Sequence, residues 1–435
     1  MNYKKSINLV FCLLIFSLTL TGCSVADVIL PGNSSSQVMV SDLPRSDGSR
    51  SATEDVEKLS EGNLKFALDL YHQLESSEGN LFYSPYSISS ALAMTYAGAE
   101  GQTAEEMAAV FHFLLEEDRL HPAINSLDLY LEGLADQEIP EDMGEPFQLN
   151  IANAIWGQKD FHFESEFLDT LAVNYGAGLR LLDFIQLPEE SRVTINDWVS
   201  DETEERIQDL IPQGAITPDI RLVLSNAIYF KATWLEPFEE SLTEDGVFSG
   251  LDGEEIITPM MSLGSDASLP YYAGEGFQAV ELPYLGGQVS MLVLLPDQGE
   301  FSKFEEKLNS EELGRIIENL VYHPIYLSFP KYEFETEISL AAILAKMGMP
   351  SAFSGSADFS GMTGDKDLFI SDVFHKAFVS VDEAGTEAAA ATAVLMKLTA
   401  APEDPLQLDV DRPFLFLIRD QQTNTILFMG RVTKP

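Results

Sequence analysis

The segment from Val381 to Pro402, VDEAGTEAAAATAVLMKLTAAP, limits what the rest of the chain can be. Its alanines, Ala388 to Ala391, would suit a short helix, because alanine is the best helix former. A second pattern runs through the same residues at a period of two. Thr386, Ala388, Ala390, Thr392, Val394, Met396 and Leu398 carry no charge and grow more apolar along the chain, while Glu387 and Lys397 sit on the offset face. Such a stretch can be a solvated loop and can also enter a sheet as a strand, small side chains first. Side chains that must thread between two paired strands should be small, which is a reason for the Thr and Ala run.

The flanking sequence supplies sheets. Helical signals dominate the first third: Leu64, Ala67, Leu68 and Tyr71 are spaced for one helix face within Glu61 to Leu74. Ser84-Pro85 starts a second helix, with serine as the cap and proline in the first turn. Thr103 and Glu106 have the spacing of a capping box. Strand signals follow at Leu222 to Phe230, Val289 to Leu295, Ile325 to Phe329, Phe369 to Val381 and Phe414 to Ile418. With no regular βαβ alternation, the expected class is α+β with largely antiparallel sheets.

One domain is expected from about residue 60 to Pro435, since no second linker and no internal repeat interrupts that stretch. A chain of 435 residues with 45% hydrophobic composition can bury a large core. The first 22 residues stand apart: Lys4 and Lys5 precede an apolar run from Ile7 to Leu20, the pattern of a signal peptide. The run ends in Leu20-Thr21-Gly22-Cys23, which resembles the lipobox of prokaryotic lipoproteins. That resemblance implies a lipid on Cys23, and an exported protein anchored on the extracytoplasmic side of a prokaryotic membrane; an ordinary secretory signal with an incidental cysteine is the alternative. Residues 23–59, rich in Ser, Pro, Gly and Asp, read as a flexible tether. The other cysteine, Cys12, leaves with the signal, so the mature domain has no disulfide or cysteine-based metal site.

Charge and motifs exclude several functions. Against 70 Asp and Glu stand 25 Lys and Arg, a formal net charge of −45, which disfavours nucleic acid and polyanionic cofactors. There is no G-x-S-x-G elbow, H-E-x-x-H, Walker sequence or calcium loop. Gly274-Glu275-Gly276 reads as a turn before the Val280 run rather than as a dinucleotide fingerprint, and the six histidines show no metal-ligand spacing. No catalytic residue, cofactor or metal is expected.

Glu383 to Thr392, EAGTEAAAAT, resembles the reactive-loop hinge of inhibitory serpins, and Leu408 to Ile418, LDVDRPFLFLI, resembles that family's C-terminal signature. Asn80 to Leu92, Leu224 to Phe238, Pro259-Met260-Met261, Leu327 to Met349 and Phe428-Met429-Gly430 continue the likeness in order across the domain. The resemblance implies the serpin fold, a large central sheet with smaller sheets and an exposed loop near the C-terminus. It implies a monomeric inhibitor acting as a suicide substrate: a serine protease cleaves the loop, which then inserts into the sheet and traps the acyl-enzyme. The hinge would comprise Glu383, Gly385, Thr386, Ala388, Ala390 and Thr392. A polar cluster of Ser84, Ser87, Asn226 and His375 would hold the sheet shut, with Trp234 where insertion begins. Taken singly, these five also suit helix caps, a strand asparagine, a satisfied buried histidine and core packing.

Counting from Gly385 puts the cleaved bond between Thr399 and Ala400, which suits an elastase- or subtilisin-like protease. One residue less gives Leu398 and a chymotrypsin-like target; Lys397 would suit a trypsin-like one, and a cysteine protease is conceivable. The alternatives to inhibition are a serpin fold that only binds or chaperones, and an unrecognised hydrolytic lipoprotein.

Overall fold

The computed structural model describes residues 37–49, 51–75, 78–135, 147–264, 267–387 and 405–435. Two sheets organise them, with helices packed on both. The first has seven strands, in the spatial order Gln37–Met39, Leu179–Leu182, Gln148–Gln158, Leu222–Thr233, Gly385–Thr386, Asp372–Val381 and Tyr332–Ser339. The second has ten, built mainly from the C-terminal half. The expected α+β class with mostly antiparallel sheets is the one observed.

Burial on both faces explains why Leu222–Thr233 shows no alternation of buried and exposed positions, its polar Ser225 and Asn226 included. Ile228 and Phe230 face the second sheet and pack with Met291, Val293 and Phe428. Val223 and Ala227 face the other way, against Ile195 and Val199 of the helix Pro188–Glu202. The helix Pro85–Tyr96 begins as expected: the Ser84 side chain accepts from the Ser87 amide and Pro85 occupies the first turn. The Glu275-Gly276 turn joins the strands Ser268–Gly274 and Phe277–Pro283, again as expected.

Other expectations fail for physical reasons. Thr103 is not a cap, because its helix starts at Gly101. The Thr103 hydroxyl accepts from the Asp358 amide and Glu106 accepts from the Ser351 amide, so both serve tertiary contacts. The described part of the supposed tether is docked. Gln37–Met39 adds a strand to the free edge of Leu179–Leu182, and the helix assigned from Glu61 begins at Thr53. Three residues are too few for a periodic signal, and only the exposed backbone edge of the neighbour makes them a strand.

Arg45 fixes this N-terminal segment. Its guanidinium donates to Asn125 Oδ1 at 2.8 Å, to Glu132 Oε1 at 2.8 Å and to Asp128. Burial pushes the Asp128 carboxyl up, and Arg45 opposes that shift. Arg45→Ala leaves Asp128 without its cation, and after discounting for partial exposure the loss is about 1–2 kcal/mol. Thermal melts should show a midpoint lower by about 1–3 °C, with Arg45→Lys in between because it keeps the charge but not the fork.

Candidate functional site

Seven strands give this sheet an unusual centre. Leu222–Thr233 and Asp372–Val381 run parallel and pair directly from Asp372↔Val223 to Ala377↔Ile228. Beyond Ile228 they diverge, and Gly385–Thr386 enters between them, antiparallel to both, with Gly385↔Thr233, Thr386↔Ala232 and Val381↔Thr386 in register. The centre of the sheet is therefore a fork: closed below, and already holding two residues of the 381–402 segment above.

A polar cluster ties the closed part. His375 and Asn226 are register partners across the parallel pair, and Asn153 is the partner of Asn226 on the other side. The His375 Nε2 accepts from the Ser84 amide at 3.2 Å, so the ring proton is on Nδ1, which donates to Asn226 Oδ1. The Asn226 amide donates to Ser87 Oγ at 2.7 Å and to Asn153 Oδ1. Ser87 Oγ donates to Asn153 Oδ1 at 3.1 Å, and Ser84 Oγ donates to the Leu427 carbonyl at 2.6 Å. Ser84, Ser87, Asn226 and His375 are all fully buried. The structure thus brings together the four cluster residues read from the sequence. Asn153 completes them and was missed, since only strand register shows that it faces Asn226.

The mouth of the fork is held by a second set. Trp234 Nε1 donates to the Asp382 carbonyl at 3.0 Å, and the Trp234 amide donates to the Ala384 carbonyl at 2.9 Å. The Trp234 ring stacks on Tyr284 with centroids 4.5 Å apart, and the Tyr284 hydroxyl bonds Thr386 Oγ1 at 2.7 Å. Glu383 accepts from Lys331 at 2.6 Å and from Thr243 at 2.7 Å. Gly385 has no alternative: a Cβ there would lie 2.1 Å from the Ala232 carbonyl oxygen. Tyr284, Thr243 and Lys331 were not foreseen, because they lie far from the hinge in sequence and no local motif marks them.

Thr386 needs a correction. As the first residue of the uncharged period-two face it would lead the segment into the sheet, but it is already there, 1% exposed and paired on both sides. A charge at Thr386 would therefore disrupt the resting fold as well as any later step. Ala388, Ala390, Thr392, Lys397, Leu398, Thr399, Ala400 and Cys23 lie outside the described residues.

What these elements define is a sheet protein whose centre is partly opened and holds Gly385–Thr386 between its two parallel strands. The serpin family model, described as serine protease inhibitor, matches residues 61–435. An uncharacterised serpin-like protein of Thermococcus kodakarensis is 40% identical, over 85% of this chain and 84% of its own. A leukocyte elastase inhibitor of Xenopus laevis is 37% identical, over 87% of this chain and all of its own length. The crystal structure of maspin superposes with a TM-score of 0.79 at 26% identity, over 88% of this chain and all of maspin's. The chain belongs to the serpin family.

Burial pushes the His375 imidazole down to about 3, and its Nε2 must stay unprotonated to accept from Ser84. The folded pKa is depressed, so its stabilisation is complete above the unfolded value near 6.5 and is lost as pH falls toward about 3. The slope from this group alone is about 1.4 kcal/mol per pH unit. Thermal midpoints measured between about pH 7.5 and 4.5 should fall more steeply for wild type than for His375→Gln, which cannot titrate there. Parallel curves would remove His375 from the acid response.

Proposed function

We propose that this serpin inhibits a serine endopeptidase as a suicide substrate, trapping the acyl-enzyme by inserting its cleaved loop into the fork. The observation that carries this reading is the Gly385–Thr386 pair, already seated between the two strands. Continuing at a period of two, Ala388, Ala390 and Thr392 would pass inward, and none is bulky or charged. Insertion replaces one parallel contact with two antiparallel ones, the better-bonded arrangement. Roughly a dozen new ladder hydrogen bonds at about 1 kcal/mol net each exceed the few kcal/mol needed to distort a protease active site.

The Thr399–Ala400 bond favours an elastase- or subtilisin-like target, and the elastase-inhibitor names of several relatives fit that choice. Leu398 keeps a chymotrypsin-like protease as the next candidate. A serpin that binds or chaperones without inhibiting is the other reading, and the small uncharged hinge residues speak against it. Incubation with an elastase- or subtilisin-like protease should give a complex that survives denaturing electrophoresis, and mass spectrometry should find a released peptide beginning at Ala400. In Ala390→Arg the bond is untouched, but a buried unpaired guanidinium costs about 3–5 kcal/mol during insertion. Cleavage should continue while complex yield collapses. Full inhibition by this variant would overturn the insertion mechanism.

The Leu20-Thr21-Gly22-Cys23 pattern supports export and a lipid thioether on Cys23, which would hold the inhibitor on the outer side of a prokaryotic membrane. Cys23→Ser should move the protein from the detergent phase to the aqueous phase in Triton X-114 partitioning. Equal partitioning of both forms would show the cysteine to be incidental.

A further inference from the structure

The last described residue before the 388–404 stretch is Glu387, and its surroundings are odd. Its backbone is left-handed, with φ at 52°, and its amide donates to the Ser380 carbonyl at 2.9 Å. Its side chain is 5% exposed, and Oε2 has no hydrogen-bond partner. A carboxylate buried with half its lone pairs unused is costly unless a cation answers it. That cation is Arg206, whose Nη1 lies 3.0 Å from Oε1 while its own side chain stays 51% exposed. The Tyr229 hydroxyl donates to the same carboxylate.

Arg206 belongs to the connection between the helix Pro188–Glu202 and the strand Leu222–Thr233. This connection crosses the fork. Ile207, Leu210 and Ile211 anchor it in the core formed with Trp156 and Ile195, and Gln208 accepts from Lys376 on the far strand at 3.2 Å. Three non-glycine residues of the connection, Glu204, Glu205 and Asp209, have positive φ, as does Glu387 itself. Backbone strain of this kind survives only where the surroundings over-determine it, and here it gathers on the two sides of one ion pair.

We propose that Arg206 is a positioning residue that keeps the hinge seated in the fork by neutralising Glu387. The geometry stands without any protease, and the consequence for trapping rests on the inhibitor reading above. While Arg206 holds Glu387, Gly385–Thr386 stays between the strands and insertion after cleavage starts from a formed register. Without it, the carboxylate loses its paired cation and keeps only the weaker influence of Lys231, so the hinge is driven out of the sheet and the cleaved loop must find the fork from solution. More acyl-enzyme is then hydrolysed before it is trapped.

Four groups act on the carboxylate, Tyr229 and Lys231 on Leu222–Thr233, Arg206 on the connection and Glu333 on Tyr332–Ser339, while Glu204 on the connection acts on Tyr229. Burial raises the Glu387 carboxyl above its ordinary range despite the tyrosine and the two cations. The seated hinge therefore binds a proton more readily than a free one. Seating is firmest below the ordinary carboxylate range and weakens as pH rises through the Glu387 titration.

The experiment is a cycle on full-length protein, read first by hydrogen–deuterium exchange and without protease. The reporters are the amides of Glu387 and Trp234, which bond Ser380 and Ala384 across the seated hinge. Arg206→Ala should speed their exchange at least tenfold and Arg206→Lys much less. Glu387→Gln should leave exchange slow, because the neutral amide still offers Tyr229 an acceptor. Arg206→Ala/Glu387→Gln should return exchange to slow, and lowering the pH should rescue Arg206→Ala alone in the same way. With a protease that wild type traps, Arg206→Ala should consume several-fold more inhibitor per complex without slower cleavage, and the double variant should reverse that. A merely destabilised fold would not be repaired by removing a second charge. Unchanged exchange in Arg206→Ala, or a double variant as fast as Arg206→Ala, would overturn the proposal. Exchange that follows the cycle while no protease is ever trapped would leave Arg206 in its place and sink only the inhibitor reading.

Discussion

The short parallel pairing from Asp372↔Val223 to Ala377↔Ile228 is the contact on which the rest of this molecule depends. Both strands are antiparallel to their outer neighbours, Gln148–Gln158 and Tyr332–Ser339. Parallel ladders are slightly weaker per residue than antiparallel ones, so the sheet carries a weak line down its centre. It cannot be strengthened by sliding the strands, because burial on both faces fixes their register. A strand of opposite direction placed on that line improves the bonding on both sides. At its upper end that line is already taken by two residues of the same chain, Gly385 and Thr386.

What keeps the line closed in the meantime is polar rather than apolar. His375, Asn226, Asn153, Ser87 and Ser84 form a chain of directional bonds across it, with all but the half-buried Asn153 fully buried. Apolar packing tolerates small shifts; a buried hydrogen bond that is stretched leaves a donor and an acceptor unsatisfied at once. The cluster therefore makes closure all-or-none at its own level while leaving the mouth, between Thr233 and Val381, free to accept Gly385 and Thr386. Ser84 serves two structures: its side-chain oxygen caps the helix Pro85–Tyr96 and its amide holds the histidine. Opening the sheet at His375 is thus felt at a helix terminus.

Sequence made the fold class, the hinge and four members of the polar cluster legible, and the reasons are local. Gly385 stands where backbone crowding forbids a Cβ, Ser84-Pro85 is a complete helix start, and the small residues after Thr386 share one period. The rest was illegible because it arises from register or from distant partners. Asn153 acquires its role from the strand opposite, and Tyr284 from stacking on Trp234 at the mouth. Thr103 and Glu106 had the spacing of a cap, yet tertiary partners at Asp358 and Ser351 claimed both. Gln37–Met39 shows the same limit, since its strand is dictated by an open neighbouring edge rather than by its own residues.

In a chain with 70 acidic and 25 basic residues, the placement of cations shows where negative charge has to be buried. Arg419 with Glu281 and Arg431 with Glu305 are closed pairs, with every side chain under 10% exposed, inside the second sheet and against its helices. Such pairs cost desolvation on both partners and fix geometry rather than add stability. Arg206 with Glu387 is built differently: the acid is buried at the mouth and the base is half in water. Only one partner is desolvated by the contact, and the other is solvated whether the pair is made or broken. An ion pair of that form can open without stranding a buried cation, which sets the joint between the sheet and its seated hinge apart from the closed pairs.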